Sequence, residues 1–189
     1  MQIQPEEFLT GKLIVADTLP SSGEVRLDLA AEVLRRFGEV RFVARGSSMI
    51  PSIYPGDLLT VRSQAIAEAR YGHIVLALRE GRFWAHRLIR KWRQGNHFVL
   101  ATRGDALLDE DPSLDESQVL GRVTSIVRYG KPVEFARVNG FSTKLLRWAV
   151  RNSNALAKAL LRRHSLRLRL LGGSHEPYET PGTPVLECM

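Results

Sequence analysis

Cysteine is all but missing from this chain of 189 residues, with Cys188 the only one. A single thiol closes no intrachain disulfide and builds no multi-thiolate metal site, which fits a reducing compartment. Long apolar runs are missing too. The longest unbroken aliphatic stretch, Ile74 to Leu78, falls far short of the roughly 20 residues of a membrane-spanning helix. The opening stretch MQIQPEEFLTGKLIV has neither a basic leader nor an apolar core of signal-peptide length. The expectation is a cytoplasmic protein with no signal peptide or span, at most peripheral to the inner face of a membrane. Acidic residues, finally, are missing from one long segment. Phe135 to His175 has no Asp or Glu but nine basic residues, while the rest of the chain holds 18 basic and 20 acidic ones. The net charge of +7 and the pI near 10.1 therefore belong to one segment.

What is present is the composition of a soluble globular protein, 44% apolar and 25% charged. Its length suits one domain with extensions. Residues 1–38 read as an N-terminal extension with one helix, after a weak strand signal at Lys12–Ala16 and a turn at Pro20–Gly23. Leu27, Leu29, Ala30, Val33 and Leu34 place that helix over Arg26–Phe37, with Gly38 as its stop. Residues 39–130 change to short β-type runs at Val40–Ala44, Leu58–Val61, His73–Leu78, Arg82–Ile89, His97–Ala101 and Val119–Val127. Turn residues separate them, so the fold class is mainly β, a compact antiparallel domain. Residues 131–171 form a basic helical extension, helical from Asn139 to about Leu171, and 172–189 a flexible tail rich in Gly, Pro, Ser and Thr.

The basic extension admits three readings. Lys144, Arg147, Arg151, Lys158 and Arg162 recur at helical spacing on one side, with Leu145, Trp148, Ala149, Leu156 and Leu160 mostly elsewhere. That pattern suits an amphipathic helix on an anionic membrane surface, and equally a helix packed on the β-domain with a solvated basic face. Nucleic-acid contact is the weakest of the three, because the segment has no DNA-reading motif and few interleaved aromatics.

The segment that carries chemistry is Arg45-Gly-Ser-Ser-Met-Ile-Pro-Ser-Ile-Tyr-Pro-Gly-Asp-Leu-Leu-Thr-Val-Arg62. A β-type run ends at a glycine, two hydroxyls follow, and a Met-x-Pro turn leads through Pro-Gly-Asp into another strand. Gly46 lets the backbone approach a substrate closely. The turn lifts a hydroxyl from the sheet and leaves neighbouring amides free for an oxyanion hole, as a nucleophilic serine requires.

This segment resembles the nucleophile box of the superfamily that joins signal peptidase I to the self-cleaving domains of SOS and phage repressors. The resemblance implies that Ser48 is the nucleophile, with Met49, Pro51, Gly56 and Asp57 completing the box. Phe83-Trp-Ala-His-Arg-Leu-Ile89, 38 residues on from Ser48 to His86, looks like the base strand of the superfamily's histidine branch, found in secretory, archaeal and spore-former enzymes. His86 is then the general base. Alternation puts Trp84, His86 and Leu88 on one face, a partly desolvated setting that favours neutral imidazole. Lys91 is the rival base, placed on the opposite face if the strand stays regular. A third box, Ala101-Thr-Arg-Gly-Asp-Ala leading to Val119-Leu-Gly-Arg-Val123, is similar to the family's Gly-Asp segment. It implies that Asp105 holds the imidazole, with Asp109 or Asp111 as the alternative acid.

Three departures accompany the resemblance, which covers about residues 39–128, and one is Ala106 where the family usually has Asn after Gly-Asp. Gly46 stands where many members carry a hydroxyl, so Ser47 or backbone amides, with Met49 beside them, must serve the oxyanion. The family's membrane-embedded members carry an anchor that this sequence does not show. The implied activity is a serine endopeptidase acting on a peptide or pre-protein through a Ser–His dyad with an Asp behind it, and no cofactor or metal is called for. His73, His86 and His97 lack the spacing of metal ligands. Two other functions compete: a self-cleaving repressor-like regulator, for which the helical text before residue 39 is too short for a helix-turn-helix, and a catalytically silent peptide-binding module.

Overall fold

The structure is a computed structural model that describes residues 22–79, 82–135, 140–171 and 185–187. A helix α1 (Ser22–Phe37) leads into β1 (Glu39–Arg45), β2 (Leu58–Ser63), β3 (Ile74–Arg79), β4 (Arg82–Gln94), β5 (His97–Arg103), β6 (Leu114–Asp115), β7 (Val119–Arg128) and β8 (Lys131–Pro132). Two helices follow, α2 (Phe141–Asn152) and α3 (Asn154–Leu171), and then β9 (Val185–Glu187). All six strands expected from sequence are present, with β4 running on to Gln94. The strand signal at Lys12–Ala16 lies outside the described residues. Of the turn expected at Pro20–Gly23, Pro20 and Ser21 lie outside the described residues, and Ser22 and Gly23 open α1.

The strands join one sheet in the order β6-β5-β4-β3-β7-β2-β1-β9, with β8 beside β7. Every described pairing is antiparallel except that of β9, which runs parallel to β1. Although β1 and β4 are far apart in this order, β9 lies close to β4 as well as bonded to β1. The sheet therefore curls until β9 approaches β4. Phe42 of β1 and Phe83 of β4 meet edge to face across the interior, with ring centroids 5.2 Å apart. Such a pair adds about 0.5–1.5 kcal/mol beyond its burial.

Alternation fills the core. Phe42 and Ala44 of β1, Leu59 and Val61 of β2, and Phe83 and Ala85 of β4 are all buried, and α1 adds Ala31 and Leu34 to the same cluster. A second cluster under β4 and β5 holds Leu88, Leu100, Val75 and Ile66.

The basic extension departs from its expected shape twice. Its helical text divides at Ser153, whose extended backbone ends α2 and whose hydroxyl accepts the Leu156 N–H at 3.3 Å, starting α3. Its basic face is also not wholly solvated, although Lys144, Lys158 and Arg162 are exposed. Arg147 and Val150 turn inward, while Phe141, Leu145 and Trp148 are exposed. The reason is a buried carboxylate, Asp105, which offers Arg147 a counter-charge inside. In α3, His164 is buried too, bonded to the Tyr129 hydroxyl at 2.5 Å and the Pro55 carbonyl at 2.8 Å. The tail read as flexible contains β9, and the rest of it lies outside the described residues.

Candidate active site

Strand β1 stops at Arg45 because Gly46 takes φ +87°, a left-handed turn that side-chain-bearing residues rarely adopt. The chain then winds tightly: the Ile50 N–H donates to the Ser47 carbonyl at 3.3 Å, and the Ser52 and Ile53 N–H groups donate to Met49 at 2.8 and 3.0 Å. Among the described residues, the amides of Ser48 and Met49 enter none of these bonds. Asp57, the last residue of the motif, anchors the loop. Its carboxylate accepts the Tyr54 N–H at 2.8 Å and pairs with Arg128 at 2.8 Å. Arg128 also donates to the Ser52 carbonyl at 3.0 Å and lies over the Tyr54 ring. Nothing in the sequence singled out Arg128, which stands 71 residues from its partner.

Across the curled sheet, Ser48 Oγ lies 2.9 Å from His86 Nε2. The other ring nitrogen, Nδ1, is 2.7 Å from Asp111 Oδ2. Thr102 Oγ1 donates to the same carboxylate oxygen at 2.6 Å, and the Asp111 N–H donates to the Thr102 carbonyl at 2.8 Å. Ser48 is 3% exposed and His86 1%. Burial pushes the Asp111 carboxyl up, but the hydrogen bond and charge of His86, helped by Thr102 and Arg79, outweigh it and hold the group below the usual carboxylate range. Trp84 meets the imidazole edge to face, with centroids 5.6 Å apart.

The other residues singled out in the sequence fall elsewhere. Asp105 does not hold the imidazole. It is buried in a separate cluster, taking Arg87 Nε at 2.7 Å and Nη2 at 2.8 Å, bonded by the Ser52 hydroxyl, and 3.6 Å from Arg147. The cause is strand geometry, because Arg87 points to the face opposite His86 and the Gly104–Asp105 turn folds toward Arg87. Asp109 is exposed and joins neither cluster. Met49 buries its side chain in the core, so only its backbone remains to meet a substrate, whereas Ser47 is exposed.

Lys91 is committed to three carbonyls, those of Ala67 and Ala69 at 2.8 Å and Ile66 at 3.3 Å. The parity expected for it also fails. Ile89 is the extra residue of a bulge, since β4 steps from Leu88 to Arg90 against consecutive residues of β5. What withdraws Lys91 from the site is this carbonyl cage, not its face.

An ionised Asp111 accepting from Nδ1–H fixes the tautomer that leaves Nε2 free to accept from the Ser48 hydroxyl. That is the arrangement needed to raise the nucleophilicity of a serine. No curated protein matches the chain. A family model described as Peptidase S24-like matches residues 10–124, more than half of the sequence. The matched stretch takes in the Ser48 turn, the His86 strand and the Asp111 loop, and the chain belongs to this Peptidase S24-like family.

Proposed function

We propose that the protein is a serine endopeptidase that cleaves an extended peptide or pre-protein, with Ser48 as nucleophile, His86 as base and Asp111 as the group that orients it. The single observation that carries the reading is the unbroken relay of 2.9 and 2.7 Å from Ser48 through His86 to Asp111. Ser48 Oγ attacks the scissile carbonyl as its proton passes to Nε2. Asp111 stabilises the imidazolium, and the amides of Ser48 and Met49, beside the Ser47 hydroxyl, meet the oxyanion. The proton then goes from Nε2 to the leaving amine, and water repeats the sequence on the acyl-enzyme. A histidine in this role is what the histidine-base branch of the superfamily uses, and the proposed mechanism is of that type.

The repressor-like reading receives less support. Among the described residues, α1 is the only helix before β1, and it gives Ala31 and Leu34 to the sheet's core instead of standing apart as a DNA-reading unit. The test is mass spectrometry of a peptide library incubated with the wild type and with Ser48→Ala. New termini that appear only with the wild type support the reading. Identical product lists from the two proteins sink it.

A further inference from the structure

The strands that carry the dyad have a third neighbour. Strand β9 pairs with β1 in parallel, Val43 opposite Val185, Ala44 opposite Leu186 and Arg45 opposite Glu187. It also lies close to β4, the strand of His86. Its direction is that of β1, and β1 leads through Gly46 to Ser48. A chain on this path therefore travels toward the turn that carries Ser48.

Backbone pairing of this kind is how an extended peptide adds to an exposed sheet edge. The other edge of β1 is already taken by β2. The seam that β9 fills is thus the edge open to a substrate that must reach both Ser48 and His86. The pairing is also the sort that can be exchanged. It spans three residues and is the one parallel ladder among the described strands, and parallel pairs are slightly weaker per residue than antiparallel ones.

We propose that β9 is a tethered occupant of the peptide groove, so that the chain's own Val185–Glu187 segment holds the place of an extended substrate and must leave before one is cleaved. The inference rests on the peptidase reading for what the groove is for, but the occupancy itself is testable without turnover. A tethered segment acts at an effective concentration of about millimolar for a short flexible link, so it suppresses weakly binding peptides and yields to tightly binding ones.

The experiment uses the full chain, the full chain with Leu186→Pro, which removes a backbone donor from β9, and a chain ending at Pro184. Two quantities are read for each: the rate at which a fluorophosphonate probe labels Ser48, and the binding of a fluorescent peptide of sequence Thr183 to Met189 by anisotropy. Labelling about tenfold faster in both altered chains, with peptide binding at least tenfold tighter than in the full chain, supports the proposal. Ser48 labelled at one rate in all three, with no gain in peptide binding, overturns it and leaves the peptidase reading standing. Peptide binding that improves while no chain is labelled at Ser48 supports the occupancy and overturns the peptidase reading. Failure of both readouts overturns both.

Discussion

His86 and Arg87 are neighbours on β4, both buried and pointing to opposite faces of the strand, and each is met by a serine and an aspartate. On one face stand Ser48 and Asp111; on the other, Ser52 and Asp105. The companions are of the same type and the distances similar, yet the two clusters have opposite capacities. Imidazole gains and loses a proton near neutral pH, so the first cluster can pass one along. Guanidinium keeps its proton throughout, so the second is a fixed ionic clamp. The clamp is braced by Arg147 from α2 and by the Gly72 carbonyl, which Arg87 Nη1 reaches at 2.6 Å. Burial lowers the Arg147 pKa, Asp105 draws it back up, and the neighbouring Arg87 lowers it again. The basic residue at the centre of each cluster sets the difference: one can exchange a proton, the other only hold charge.

The sharpest way to break this contrast is to remove the two basic groups separately. His86→Ala is expected to lower kcat/KM by at least about 10⁴-fold while costing less stability, read as the urea unfolding midpoint, than loss of Arg87. Arg87→Met is expected to cost about 3–5 kcal/mol of stability, because it strips the principal cation from a buried carboxylate. Equal stability losses in both variants would erase the distinction. The carboxylates give the next test. Asp111→Asn should reduce kcat by about 10³–10⁴-fold through loss of the correct tautomer, whereas Asp105→Asn should mainly destabilise, since it leaves Arg87 and Arg147 facing each other. A kinetic defect larger in Asp105→Asn would return the orienting role to that residue.

The smallest effect concerns acid. The Asp111 carboxyl is held below its ordinary value in the fold. Its stabilising contribution is therefore present above the unfolded value of about 3.9 and lost as pH falls through the lower folded value. Wild type should thus lose more stability than Asp111→Asn over that acid window, read as the urea midpoint against pH. Parallel curves for the two proteins would mean that His86 and Thr102 do not favour the ionised group.

Much of this was legible in the chain. Strand text with turn punctuation gave all six long strands, and the Ser-Met-x-Pro turn and the Trp-Ala-His strand marked the pair that meets at 2.9 Å. What escaped notice depended on partners far away in sequence. Asp105 and Asp111 share one acidic loop, and only the side of β4 that each approaches separates them. Arg147 looked like a solvent-facing charge because its counter-ion, 42 positions earlier, could not be seen from the helix alone. The bulge at Ile89 and the three-residue β9 leave no periodic signal to read.

One contact ties the two halves of the site together. The Ala106 N–H donates to the Ser48 carbonyl at 2.8 Å, and a Cβ placed on Gly104 would stand 2.8 Å from that same oxygen. The acidic loop is thus stitched to the Ser48 backbone at residues 104–106, while Leu107 to Glu110 are exposed. Length changes in this loop should accordingly be tolerated best at its crest and worst at its root, where a methyl group on Gly104 would press on the Ser48 carbonyl oxygen.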